Sequence, residues 1–308
     1  MAADLILRSY GDVTRIQDVQ PLVEILTAKE NWFLTNLSKT VAKDTIHGVL
    51  DDVLRTPATQ AVAEVEDYTN LSLVTPTRRN NIVENIAIPF RVGKTQQMIG
   101  HLHGQNEKAR QLTKAMMDWA NSAEYDILRS TLVSGVSGTV PKMSGIIEAI
   151  SKSTNTTAHT SATVFSASIL KGLLKANWQN SNGEPVTDLF MGAALKSTFD
   201  SFTAGATKFM QAGQEIKDYV DVYDGGGFGR VAVHLHRYIT DSSVAAATDT
   251  VGRVLGIRRD KLALAYLENV NVAQLPASGD YDAMVVKGKL TLEVRNQDTH
   301  FLATGFLF

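Results

Sequence analysis

Two His-x-His pairs, His101/His103 and His234/His236, have the most direct route to chemistry, because alternate positions on a strand put two imidazoles on one face, a geometry that suits zinc. Neither pair has a carboxylate or third histidine at ligand spacing, so solvated or interfacial rings are expected at both. Gly93-Lys94-Thr95 looks like the end of a phosphate loop, but the first glycine of that motif would fall on Ile88, and Pro89 interrupts the approach. Asp224-Gly225-Gly226-Gly227-Phe228-Gly229 lacks a lysine and lies between two strand-like runs, which reads as a turn. Ser134 and Ser137 sit among small residues without the Gly-x-Ser-x-Gly pattern or a histidine placed to serve them. The acids Asp249, Asp260, Glu268, Asp280 and Asp282 are scattered over expected loops and give no acid–base pair. The absence of cysteine excludes disulfides, thiolate metal sites and cysteine nucleophiles. No catalytic, cofactor-binding or metal residue is assigned, and no enzyme is expected.

The elements around these residues are more informative. From Gln105 to Val133 the apolar residues Ala109, Leu112, Met116, Trp119, Ala123, Ile127 and Leu132 form one stripe, while Lys108, Arg110, Lys114, Asp118, Glu124, Asp126 and Arg129 make the other face polar. Asn106 follows Gly104 as the N-cap. At about 1.5 Å per residue such a helix would be roughly 43 Å long, over twice the usual length. A beam of that size suits an assembly better than a small enzyme.

Before the beam come an arm, residues 1–46, with a short helix around Pro21 to Ser38, and a ribbon, residues 47–100. The ribbon has strand-like runs at Ala61–Val65, Leu71–Val74 and Ile82–Phe90 but few large apolar residues at alternate positions, so it cannot bury itself and needs a partner surface. Asp51, Asp52, Glu64, Glu66 and Asp67 face one base, Arg55, for a local net of −4. From Asn70 to Ala115 seven bases, among them Arg78, Arg79, Arg91 and Lys94, face two acids for a net of +5. Opposite-signed segments meeting on neighbouring copies would give register and steering, so the five acids together with Arg78, Arg79, Arg91 and Lys94 are the nine candidate intersubunit contacts. The small-residue hinge 134–138 leads to an α/β body, with a helix over Val164–Trp178, a buried strand over Thr187–Gly192, a helix over Ala193–Phe202, and strands over Arg230–Ile239, Met284–Val294 and His300–Phe308.

With 308 residues, 44% hydrophobic and 20% charged, the chain can bury one or two cores, and a net charge of −2 implies no global pull on nucleic acid. No uninterrupted run near 18 apolar residues occurs, so neither a signal peptide nor a membrane span is expected.

Arm, ribbon, long helix and α/β body, followed by Val220-Asp221-Val222-Tyr223, Phe228-Gly229-Arg230-Val231-Ala232-Val233 and Lys289-Leu290-Thr291-Leu292-Glu293-Val294-Arg295-Asn296, resemble major capsid proteins of tailed bacteriophages with the Hong Kong 97-type fold, in the SU-ten-like branch. The resemblance runs from about Asn31 onward and rests mostly on element order; the chain departs from relatives in lacking the Trp that often follows His47. It implies an α+β fold divided into the arm 1–46, an extended loop 47–100, a peripheral domain of 101–140 and 269–296 built on the long helix, and an axial domain of 141–268 and 297–308. It also implies self-assembly into pentamers and hexamers of an icosahedral head around double-stranded DNA, held in the virion after assembly in the host cytoplasm. A separate scaffolding protein, a portal, cement or decoration proteins and weak non-specific contact with DNA are expected, with no membrane partner. Two other readings fit the elements: an encapsulin-like nanocompartment shell, and an α/β hydrolase or phosphate-binding enzyme.

Overall fold

The computed structural model describes residues 31–52, 54, 58, 59, 61, 64, 75–99, 106–136, 138–181, 183–202, 222–224, 227–239, 252–276 and 278–307. The arm before Asn31, the run 71–74, His101-x-His103 and most of the run 61–65 lie outside the described residues. In chain order the first elements are α1 (Trp32–Asn36), β1 (Ser38–Val41), β2 (Ile46–Asp51), β3 (Thr77–Ile82), β4 (Glu84–Gly93), α2 (Lys94–Met98) and the long helix α3 (Glu107–Arg129).

Helix α3 starts where the sequence places it, with the Asn106 side chain accepting the Lys108 N–H at 2.9 Å. It buries Ala115, Trp119, Ala123 and Ile127, one row at four-residue spacing. The expected stripe through Met116 mixes rows, and Met116 is half exposed. The helix has 23 residues, about 34 Å, and stops short of the predicted Val133. Ser130 turns out of the helix, Gly145 N–H donates to its carbonyl at 2.7 Å, and Val133 bridges Lys142, so the next stretch folds back along the helix end.

A four-stranded sheet lies under α3 in the order β1, β10 (Leu262–Leu275), β11 (Tyr281–Val294), β4. β10 and β11 form a long antiparallel hairpin, β4 pairs antiparallel with β11 from Glu84↔Leu290 to Gly93↔Tyr281, and β1 runs parallel to β10. Trp119 closes helix onto sheet: its Nε1 donates to the Ile86 carbonyl at 3.0 Å. The indole lies over Gly288, where an added Cβ would stand 2.8 Å from the ring, so only glycine admits the helix this close.

This arrangement corrects the reading of Ile82–Phe90 as coreless ribbon. Ile86 and Val92 are buried, and Ile88 and Phe90 pack on the same core, because alternate residues of β4 meet α3 and a strand some two hundred residues later. Likewise 262–268, expected with the axial body, is the first half of β10.

The second sheet has six strands in the order β5 (Thr156–Val164), β12 (Phe301–Leu307), β9 (Gly252–Ile257), β6 (Asp188–Met191), β8 (Arg230–Leu235), β7 (Val222–Asp224). Helices α4 (Ile146–Ser151), α5 (Ala167–Asn180) and α6 (Ala193–Phe202) accompany it. Its period of two joins two cores: Phe190, Leu255, Ile257 and Leu302 face the α1–α3 core, while Leu189, Met191, Val254 and Ala303 face the core containing residues of α5 and α6. The predicted strand at 187–192 and helix at 193–202 appear there. The helix expected over 164–178 begins later because Ser166 caps it, accepting the Ile169 N–H at 3.4 Å, while Val164 stays paired in β5. The strand predicted to Ile239 ends at Leu235, and residues 237–239 make a 3-10 turn.

Trp119→Ala removes both the indole packing and its hydrogen bond, and should lower unfolding free energy by about 3 to 5 kcal/mol in a denaturant titration followed by circular dichroism.

Candidate functional site

The histidine pair at 234 and 236 divides between two tasks, neither of them metal binding. His236, expected as a solvated or interfacial ring, is buried within the chain: its Nε2 lies 3.1 Å from the Glu124 carboxyl. Glu124, assigned to the polar face of the long helix, is itself fully buried and also accepts the N–H groups of Phe33 (2.8 Å) and Leu34 (2.9 Å). His236 follows the last residue of β8 and still donates its N–H to the Met191 carbonyl at 3.1 Å, directly before the 3-10 turn at 237–239. His234 stands at the surface and approaches Asp188 at 2.9 Å, with Arg259 on the same oxygen at 2.7 Å and its guanidinium over the Trp32 ring. Burial pushes the Asp188 carboxyl up, but hydrogen bonds from His234, Arg259 and Thr187 outweigh it and hold it below its ordinary value.

The other chemical candidates resolve into structure. Gly93 ends β4 and Lys94 opens the five-residue α2, its ammonium 3.5 Å from Asp280. Gly227 and Gly229 take positive φ in the turn joining the antiparallel β7 and β8. Asp260 pairs with Arg258, Asp282 with Lys108, and Glu268 with both Lys287 and Lys289. Among the described residues no three His, Asp or Glu converge as metal ligands.

The feature left is the root of the ribbon. β2 and β3 pair antiparallel from Ile46↔Ile82 to Asp51↔Thr77, and the two faces of this hairpin differ in kind. One face is pinned to the body by polar groups. His47 Nε2 meets Glu293 at 3.2 Å, Arg79 bonds Asp51 and donates to the Val294 carbonyl at 3.3 Å, and Asn81 donates to the carbonyls of Leu292 (2.7 Å) and Ser144 (3.1 Å) while accepting the Ser144 N–H at 2.8 Å. Burial pushes the Glu293 carboxyl up, but Arg295, His47 and Thr40 more than offset it, leaving it below its ordinary value. The other face carries Ile46, Leu50 (70% exposed) and Arg78, with Leu54 (94% exposed) beyond it. Exposed apolar side chains on this outer face contrast with the polar pins on the inner one.

The nine expected contact residues fall into distinct groups. Arg79 and Asp51 pair with each other within one chain, so this pair does not need a neighbour. Lys94 is engaged by Asp280, and Arg91 lies over the Tyr281 ring. Arg78, Asp52 and Glu64 are exposed, while Glu66 and Asp67 lie outside the described residues. The pins Asn81 and His47 and the buried Glu124 escaped sequence reasoning, since their partners lie far along the chain; the only local signal was a carboxylate four residues from buried positions on a helix.

The sequence profile of the SU10 major capsid protein family matches residues 7–306. No curated protein matches the chain. Among solved structures the fold is similar to the SrpI encapsulin of Synechococcus elongatus PCC 7942, at 12% identity and TM-score 0.64, covering 98% of this chain and 97% of that one. It is similar to the capsid of a native GTA particle, at 12% identity and TM-score 0.64 with 97% of each chain covered. The capsid of Myoviridae phage XM1 matches at 11% identity and TM-score 0.60 over 99% of this chain and 100% of that one. The architecture is the Hong Kong 97-like capsid fold, as the resemblance implied.

Arg78 and Arg79 separate the in-chain role from the inter-chain one. Arg79→Glu should lower the unfolding free energy by on the order of 1 kcal/mol or less, because both it and Asp51 are about a quarter exposed (27% and 22%). Arg78→Glu should leave melting unchanged and slow self-association at low salt, read by light scattering; unchanged kinetics would remove Arg78 from the interface.

Proposed function

The chain belongs to the SU10 major capsid protein family, and from that premise we propose that each copy clasps a neighbour with its ribbon as a shell closes. It is a structural subunit of a tailed-phage head and not an enzyme. The observation that carries the clasp is the two-faced hairpin, pinned to its own body by Asn81, Arg79 and His47 and exposing Leu50 and Leu54 outward. Pentamers and hexamers of such subunits close an icosahedral lattice around double-stranded DNA, where many modest interfaces add to a stable whole. A near-neutral chain keeps copies from repelling one another and lets the inner wall meet DNA without strong adhesion. A scaffolding protein, a portal and cement proteins complete the particle, assembled in the host cytoplasm and carried in the virion.

The domain reading keeps the arm 1–46, moves β4 and all of β10 to the peripheral part with α3 and β11, and leaves the six-stranded sheet with α5 and α6 as the axial part. A cargo-enclosing shell is the second reading, favoured by the similarity in fold to the encapsulin. Electron microscopy of particles purified with the rest of the head genes, together with their nucleic acid content, tests the first reading. Closed shells packed with DNA are expected; shells filled with protein, or no shells, would overturn it.

Some capsids of this fold join subunits through a Lys–Asn isopeptide bond. The ribbon 47–100 offers only Lys94, already beside Asp280, and 275–295 contains no asparagine. Asn271 does stand beside Lys287 and Lys289, but all three are engaged by Glu268, whose carboxylate accepts from the Asn271 amide at 2.8 Å and lies 3.1 Å from each ammonium. Particles should therefore run as a single band of 33.5 kDa on a denaturing gel. A ladder of higher-mass species abolished by Lys94→Ala would contradict this.

A further inference from the structure

Glu84 opens β4 two residues after the ribbon's second strand ends, and it is 7% exposed. Its carboxyl accepts the Met143 N–H at 3.1 Å, beside the pin in which Asn81 holds Ser144. These two contacts fasten the ribbon's root to the segment that folds back from the end of α3. Asn81 is neutral at any pH, whereas Glu84 is not. From α3 the carboxyl faces Asp126, and from its C-cap the buried Ser130; from the folded-back segment it faces Lys142 and the Met143 N–H; β11 sets the uncharged Leu290 across from it.

We propose that Glu84, with Asp126 and Lys142 facing it, is a proton-operated latch that holds the ribbon's root against the C-terminal end of the long helix, closed when the carboxyl is protonated and loosened when it is not. A protonated Glu84 still accepts the Met143 N–H through its carbonyl oxygen and puts no charge beside Asp126. An ionised Glu84 places a buried carboxylate beside the half-buried Asp126, with the exposed Lys142 opposing, and opening the root to water relieves that repulsion.

The electrostatics support the geometry. Burial, and then the nearby Asp126, push Glu84 from its ordinary 4.5 up to about 7, against the opposing Met143 N–H, Lys142 and Ser130. Burial also raises Asp126, with Lys142 opposing. The closed root therefore holds a proton that the opened root gives up between pH 4.5 and about 7, so closure is fully favoured at the acid end, weakens as pH rises through that window, and levels off above it. The latch is a property of one chain and stands apart from the shell reading.

Amide hydrogen exchange of the full-length subunit, corrected for the intrinsic effect of pH, tests it on peptides covering 77–83 and 142–145. In the parent chain the opening equilibrium should grow by up to about tenfold per pH unit between pH 5 and 7 and then plateau. Glu84→Gln should abolish that slope and keep the root protected at pH 8. Asp126→Asn should move the plateau to lower pH by removing the repelling charge, and Lys142→Met should move it higher. Protection independent of pH between 5 and 7 in the parent, or a slope that survives in Glu84→Gln, would overturn the latch. Should Glu84→Gln fail to fold, equal plateaus in the Asp126 and Lys142 variants would overturn it as well.

Discussion

Glu124 binds three parts of the molecule that the chain keeps far apart. Its carboxyl lies on the long helix, receives two backbone N–H groups from the start of α1, and meets His236 from the end of β8. Removing one partner from a buried polar contact of this kind costs about 3 to 5 kcal/mol, because the groups left behind have no water to turn to. One side chain thus ties together α1, the long helix and the residue that follows β8. With Trp119 fastening the same helix to the four-stranded sheet, α3 becomes the member on which both sheets are hung. That rigidity gives the ribbon a fixed base from which to reach.

The polar and apolar halves of the ribbon's root serve opposite ends. Hydrogen bonds from Asn81 and Arg79 to backbone carbonyls are directional, so they fix the angle at which the hairpin leaves the body. Apolar contact is not directional, and the outward Ile46, Leu50 and Leu54 can adapt to a covering surface. A subunit that assembles into a shell is served by this combination of fixed root and adaptable face.

Periodicity made the long helix, the buried strand at 187–192, the helix at 193–202 and the strands after 281 legible in the sequence, because each declares itself within a dozen residues. Element order then made the family legible. What stayed hidden depended on distance along the chain. Glu124 read as a solvent-facing acid because its donors lie some ninety residues before it and its histidine over a hundred after it. β4 read as ribbon because the strand that covers it comes two hundred residues later. The charge asymmetry of 51–115 was visible, yet sequence could not tell that Asp51 and Arg79 satisfy each other across a hairpin. Asn81 carried no local signal, because the carbonyls it holds belong to Ser144 and Leu292.

In the proposed clasp, the ribbon drives association and contributes little to the fold of the subunit that bears it. Replacing residues 52–76 with an Asn-Gly turn keeps β2 and β3 paired and every pin at the root in place. Analytical ultracentrifugation of that variant beside the parent measures association, with circular dichroism reporting the fold. A folded subunit with unchanged melting that no longer sediments as particles is the predicted result. Full-sized particles from the shortened chain would contradict the account.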